Sequence, residues 1–233
     1  MTNLNILSGG AAQGLVGSLK AQFKEQTGLD ISGEFGAVGA MATKLREGTP
    51  ADILVLTSAL IATLTGEKLV DGTSVKDVGR VETALAVRSN DPLVSAPNAA
   101  SLRAAFLAAD AIFVPDTKAS TAGIHVAKVL SQLGIADEVA GRLKIYPNGA
   151  TAMRHMAESD AKHPIGCTQA TEIIATKGIR LSGALPNGCD LATVYTAAVT
   201  AKAAHAREAQ VLIDLVTAAD QRPLRERAGF LPV

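Results

Sequence analysis

The sequence predicts an α/β protein of two lobes, each a mostly parallel sheet flanked by helices, joined by two crossover segments. Three observations predict it. Short apolar strands alternate with helices through small-residue loops, the pattern of successive βαβ units. Asp52 to Leu56 reads Asp-Ile-Leu-Val-Leu, a continuous apolar run of the kind expected in a parallel sheet covered on both faces. Glu82 to Val87 and Leu191 to Val199 are strand-like where linkers would be sought, so the chain crosses twice on extended segments. The expected lobes are residues 1–81 with 196–233, and residues 82–195.

The elements follow in order. Leu4 to Leu7 is a short strand that runs into Ser8-Gly9-Gly10-Ala11-Ala12 and then a helix from about Gln13 to Thr27, stopped at Gly28. Ile31 to Phe35 is a second strand, followed by Gly36-Ala37-Val38-Gly39-Ala40 and a helix to about Glu47. The Asp52–Leu56 strand completes the first series. The pattern resumes at Ala111 to Val114, with a helix from about Ala122 to Leu133 closed by Gly134. Lys144 to Tyr146 is a strand that leads through Pro147-Asn148-Gly149 into a helix reaching Met156. Pro164 to Cys167 is another short strand, Leu191 to Val199 a longer one, and a helix spans about Ala206 to Ala218.

The totals exclude several classes of function. Twenty-two basic residues balance 22 acidic ones, and a nucleic-acid or membrane-surface partner would want a basic excess. Aromatics make up 3% and Trp is absent, so base-stacking and sugar-binding shelves are poorly supplied. With 48% apolar residues a sizeable core is expected, but no run is long enough to span a bilayer. Two cysteines, Cys167 and Cys189, favour free thiols over a disulfide framework, with one bridge left open. Met1 to Leu7 has neither a basic nor an apolar signal region, so the expected location is the cytoplasm, or the periplasm if an export signal has been trimmed. A monomer is expected.

Ser8-Gly9-Gly10, Gly36-Ala37-Val38-Gly39 and Ser120-Thr121-Ala122-Gly123 each follow a strand and open a helix. Helix N-termini carry free N–H groups and the positive end of the dipole, and small side chains let a ligand approach them. Several such ends facing one cleft would bind an anion without a basic side chain. Turn chemistry alone also selects these residues. None has the spacing of a P-loop or dinucleotide fingerprint, and no His/Cys/Asp spacing matches a zinc site, so neither cofactor nor metal is expected.

Several blocks resemble the periplasmic molybdate-binding protein family. They are Ile6-Leu7-Ser8-Gly9-Gly10-Ala11-Ala12, Phe35-Gly36-Ala37-Val38-Gly39-Ala40 through Gly48-Thr49-Pro50-Ala51-Asp52-Ile53, and Thr121-Ala122-Gly123-Ile124-His125. Pro164-Ile165-Gly166-Cys167-Thr168-Gln169 and Arg227-Ala228-Gly229-Phe230 continue the match in order. The resemblance implies the type II periplasmic-binding-protein fold, a clamshell with its ligand between the lobes, and an ABC-type transporter partner if the protein is exported. It also implies a ligand set: a serine in each of the first two loops, backbone amides and a tyrosine. The matching positions here are Ala11, Val38 or Gly39, the backbone of Ala122 and Thr151, and Gln169. A tetrahedral oxyanion would lose several hydrogen bonds, each worth roughly 1.5–3 kcal/mol when made to a charged group. The expected ligand is therefore a small organic carboxylate rather than molybdate.

Some proteins similar to this family isomerise unsaturated polycarboxylates such as aconitate. For that chemistry His125, Cys167 and Glu172 are the proton-transfer candidates. His125 sits in a first helical turn, Cys167 at a strand end, and Glu172 where a helix cap is the competing role. Thr168, Gln169, Asn148 and Thr151 are further ligand-contact candidates, with simple turn chemistry as the alternative at Asn148. The sequence thus supports two expectations, a binding protein for a small anion and, as the alternative, an isomerase on the same scaffold.

Overall fold

A computed structural model describes residues 3–233. In chain order it forms β1 (Asn3–Gly9), α1 (Gln13–Thr27), β2 (Asp30–Gly36), α2 (Val38–Arg46), β3 (Ile53–Thr57), α3 (Ser58–Gly66) and β4 (Lys76–Arg88). Next come α4 (Ala99–Ala108), β5 (Ala111–Pro115), α5 (Thr121–Gln132), α6 (Ala136–Val139), β6 (Leu143–Tyr146), α7 (Gly149–Ala157), β7 (Pro164–Gln169), α8 (Ala170–Ile174) and β8 (Ile179–Ala184). The chain ends with β9 (Ala192–Val199), α9 (Ala206–Thr217) and α10 (Arg222–Arg227).

Two compact units result. One holds the chain up to Val81 and again from Thr193 to Val233; the other is Glu82–Ala192. The second boundary falls at the start of β9, whereas the sequence reading put it inside that strand. Among the described residues no helix is long and apolar enough to cross a membrane.

In the first unit β1 lies parallel between β2 and β3, and β9 runs antiparallel to β3. The early part of β4 lies beside β9. The strand β3 is buried at every residue, which explains its unbroken apolar sequence. Helix α1 buries Leu15, Val16, Leu19 and Phe23, the spacing of one helical face.

Asp52, just before β3, holds three segments of this unit together. Its carboxylate accepts the Asn5 N–H at 2.8 Å and the His205 N–H at 2.9 Å, and the residue is 2% exposed. Its own N–H donates to the Asn5 carbonyl, and its carbonyl accepts from the Thr200 N–H. This gives a physical reason for an aspartate in the Gly-Thr-Pro-Ala-Asp block.

In the second unit β5 lies parallel between β6 and β7. Antiparallel to them, β4 pairs with β7 on one side and β8 on the other. Leu102, Phe106, Ile112, Val114, Val126, Val129, Leu130 and Ile165 form the centre of its core. The sequence reading had no counterpart for α3, α4 and β8. Of these, α4 carries a legible start: Asn98 Oδ1 accepts the Ser101 N–H, and Ser101 Oγ accepts the Asn98 N–H.

In both units the parallel strands end on one edge. The register pairs Gly9 with Gly36 and Ser8 with Val55 in the first, and Pro115 with Tyr146 in the second. Every helix that follows a parallel strand therefore starts at that edge. Replacing Asp52 by Ala leaves two partly buried N–H groups without an acceptor. The expected loss is roughly 2–5 kcal/mol, read as a lower urea midpoint, with Asp52→Asn falling between it and the wild type.

Candidate functional site

The strand-end edge of the first unit is built from backbone and small side chains. After β1 the chain makes a buried helical turn over Gly10–Ala12 before entering α1. Ser8 is fully buried, and its hydroxyl is shared between the carbonyls of Gly9 (2.9 Å) and Val55 (3.3 Å). Its side chain is thus occupied by the protein. Gly9 is dictated by crowding: a Cβ there would stand 2.8 Å from both Tyr195 Cε1 and Val38 Cγ1. Ala11 is buried, and Gly36 ends β2. Helix α2 starts at Val38 and Gly39, and its N-cap residue, Ala37, supplies no side-chain cap. Tyr195, opposite Thr57 in the β3–β9 pair, stands at the same edge, with its ring edge-on to Phe230 at 6.3 Å. The sequence reading missed Tyr195; the demand for glycine at position 9 is the trace that it leaves.

In the second unit Ser120 precedes α5, and its side chain makes no cap bond to the first turn at Thr121 and Ala122. Asp116 organises the approach by accepting the N–H groups of Lys118 (2.7 Å) and Ala119 (2.9 Å), which hold its carboxyl below the usual range.

The start of α7 is different, because the protein supplies its own anion. Glu172, 6% exposed, accepts the Thr168 hydroxyl at 2.6 Å and the backbone amides of Ala150, Gly149 and Gln169. Burial pushes its carboxyl above the usual range, against the opposite pull of those hydrogen bonds. A Cβ on Gly149 would overlap the carboxylate and the Thr168 hydroxyl, so only glycine fits. Asn148 Oδ1 accepts the Thr151 N–H at 2.8 Å. The amide of Thr151, expected as a ligand donor, is therefore already paired, and so is the Thr168 hydroxyl as a donor.

Gln169 stands out. It ends β7, opposite Thr83 of β4, and is 3% exposed. Neither its Nε2 nor its Oε1 has a hydrogen-bond partner, and the buried hydroxyls of Thr83 and Thr171 are likewise unpaired. Each such group costs about 1–3 kcal/mol unless water or a ligand completes it. Thr83 was not singled out in the sequence, because its place opposite Gln169 depends on an antiparallel register that no local pattern encodes.

The proton-transfer candidates are otherwise engaged. His125 Nε2 lies 2.8 Å from the Cys189 carbonyl, which fixes the ring. Cys167 is a fully buried free thiol in the apolar core, and burial pushes its pKa up to about 12. It stays neutral where a thiolate would be needed, so the expectation of a reactive thiol finds no support in its surroundings. Glu172 serves as a cap. Among the described residues no group of three His, Cys, Asp or Glu side chains is placed to hold a metal ion. An apolar cavity of about 780 Å³ lies elsewhere in the second unit, against Leu93, Ala105 and Ile165 near the start of β7. Gln169 is at the other end of that strand, and none of the unpaired polar atoms lines the cavity.

Strand-end helix starts without side-chain caps, in an α/β frame of mostly parallel sheets, are the features of a solute-binding protein of the type II periplasmic class. The model of the bacterial extracellular solute-binding protein family matches residues 4–231, and the chain belongs to that family. It is 25% identical over 243 aligned residues to an aconitate isomerase from a Pseudomonas species, covering 100% of this chain and 89% of that protein. It is 22% identical over 191 residues to the molybdate-binding protein ModA of Escherichia coli strain K12, covering 78% of this chain and 70% of that one. The periplasmic molybdate-binding protein of Azotobacter vinelandii has the same fold, with a TM-score of 0.82 at 17% identity over 99% of this chain and 100% of that one.

Cys167 gives a pH-dependent test. Its folded pKa lies above the ordinary thiol value of 9.0, so the stability gained by keeping it neutral is complete below about pH 9 and lost as pH rises toward about 12. The stability advantage of the wild type over Cys167→Ala should therefore shrink across that window. Thiol labelling at pH 8 should report Cys167 only after unfolding.

Proposed function

We propose that this chain binds a small organic carboxylate through the strand-end loops, with Gln169 as the polar side chain that meets the ligand. The observation that carries this reading is the buried Gln169 amide with both of its polar atoms unpaired. In the unit that holds Gln169, the first turn of α5 at Thr121–Ala122, where Ser120 makes no side-chain cap bond, supplies N–H donors and the positive end of a helix dipole. Those donors suit an anion without requiring a cation. By the resemblance to the molybdate-binding family, Gln169 stands where that family is expected to carry a tyrosine, and Ala11 and Val38 or Gly39 where it is expected to carry loop serines. A metal oxyanion would lose those hydroxyl contacts, which favours an organic acid.

A second reading has its own support. The aconitate isomerase relative aligns over the whole chain. An isomerase would need an acid or base at the ligand, and His125, Cys167 and Glu172 are each committed elsewhere in the protein. Binding therefore stands first.

Calorimetric titration against malate, citrate, cis-aconitate, sulfate and molybdate tests the proposal. At least one organic acid should bind more tightly than either oxyanion, and Gln169→Leu should weaken it by about tenfold or more. Tightest binding of molybdate, or no loss in the variant, would count against it. Incubation with cis- and trans-aconitate followed by chromatography tests the isomerase reading. If interconversion occurs, an unchanged rate in His125→Ala removes that residue from the mechanism.

A further inference from the structure

We propose that the ligand brings a hydrogen-bond donor, a hydroxyl beside its carboxylate, to the side-chain amide of Gln169. This rests on the carboxylate reading above and adds a requirement to it. A primary amide carries one acceptor oxygen and an NH2 with two donors. Both ends of Gln169 are buried and unpaired, so the requirement is the same whichever way the amide is turned. An ionised carboxylate only accepts. It can satisfy Nε2 but leaves Oε1 facing another oxygen, without a proton between them. A fully ionised sulfate or molybdate fails in the same way.

The protein does not provide the missing donor. The Thr168 hydroxyl is given to Glu172 at 2.6 Å, and the Gln169 backbone N–H also goes to Glu172. Asn148 uses its Oδ1 on the Thr151 amide, and its NH2 does not reach Oε1 of Gln169, which has no partner. The hydroxyls of Thr83 and Thr171 reach no partner, Oε1 of Gln169 included. In the same unit as Gln169, α5 offers first-turn amides, which suit the carboxylate. A buried acceptor that the protein leaves unpaired selects for a ligand that has one proton to give. A 2-hydroxy or 3-hydroxy acid has that pattern: carboxylate to the N–H groups, hydroxyl to Oε1. Aconitate, which lacks a hydroxyl, does not.

The test compares matched acids that differ only in the hydroxyl: malate against succinate, and citrate against propane-1,2,3-tricarboxylate. Titrations are made at pH 7.5 with the purified chain. The hydroxylated member of at least one pair should bind about tenfold or more tightly, because its loss strands a buried acceptor. In Gln169→Met, which keeps the bulk and removes both polar atoms, the gap should close to about twofold. Equal affinity within both pairs would overturn the inference, with water as the partner of Oε1, and would leave the carboxylate reading standing. Tighter binding of the deoxy acids would overturn it as well. Binding of no organic acid at all would bring down both. If the methionine variant does not fold, the wild-type pairs alone decide.

Discussion

Parallel pairing is the constraint on which the rest depends. β1, β2 and β3 run the same way in one unit, and β5, β6 and β7 in the other. Each strand must then be followed by a connection that starts at the same edge, and in α/β chains that connection leads into a helix. The first-turn amides of the helices in each unit therefore lie at the strand-end edge of that unit. The sequence has only to supply residues small enough for the crowding. Gly9 against Tyr195 and Gly149 against Glu172 show how strict that demand is.

The helix starts are then put to different uses. At α7 the protein supplies its own anion, the Glu172 carboxylate, and Asn148 takes a further amide. At α2 and α5 the N-cap residues, Ala37 and Ser120, make no side-chain cap bond. One start is thereby consumed by the fold. The same carboxylate accepts the Gln169 backbone amide, so it also fixes where the unpaired Gln169 side chain begins.

Much of the fold was legible in the sequence because its signals are local. The helix over Gln13–Thr27 shows its apolar face and its glycine stop, and Ile53–Thr57 its continuous burial. β8 was not legible, since it is held by pairing with β4 across a register shift at Leu85 and Ala86. The site divides along the same line. Small-residue loops and the Gln169 position could be found from sequence. That Ser8 shares its hydroxyl with Val55, and that Thr83 faces Gln169, depends on contacts between segments far apart in the chain, whereas the bonds of Thr151 to Asn148 and of Thr168 to Glu172 are local and depend on side-chain geometry. The chemical candidates His125, Cys167 and Glu172 carry the right residue types, but burial and backbone partners decide their roles, and neither is visible in a linear pattern.

The most direct measurement of the central claim is the side-chain amide resonance of Gln169 in the 15N-labelled protein, assigned by its loss in Gln169→Met. Addition of a bound hydroxy acid should shift that resonance while those of Gln132 and Gln210, which donate to Gly188 and Asp214, stay in place. Saturable binding that leaves the Gln169 resonance unmoved would contradict the account.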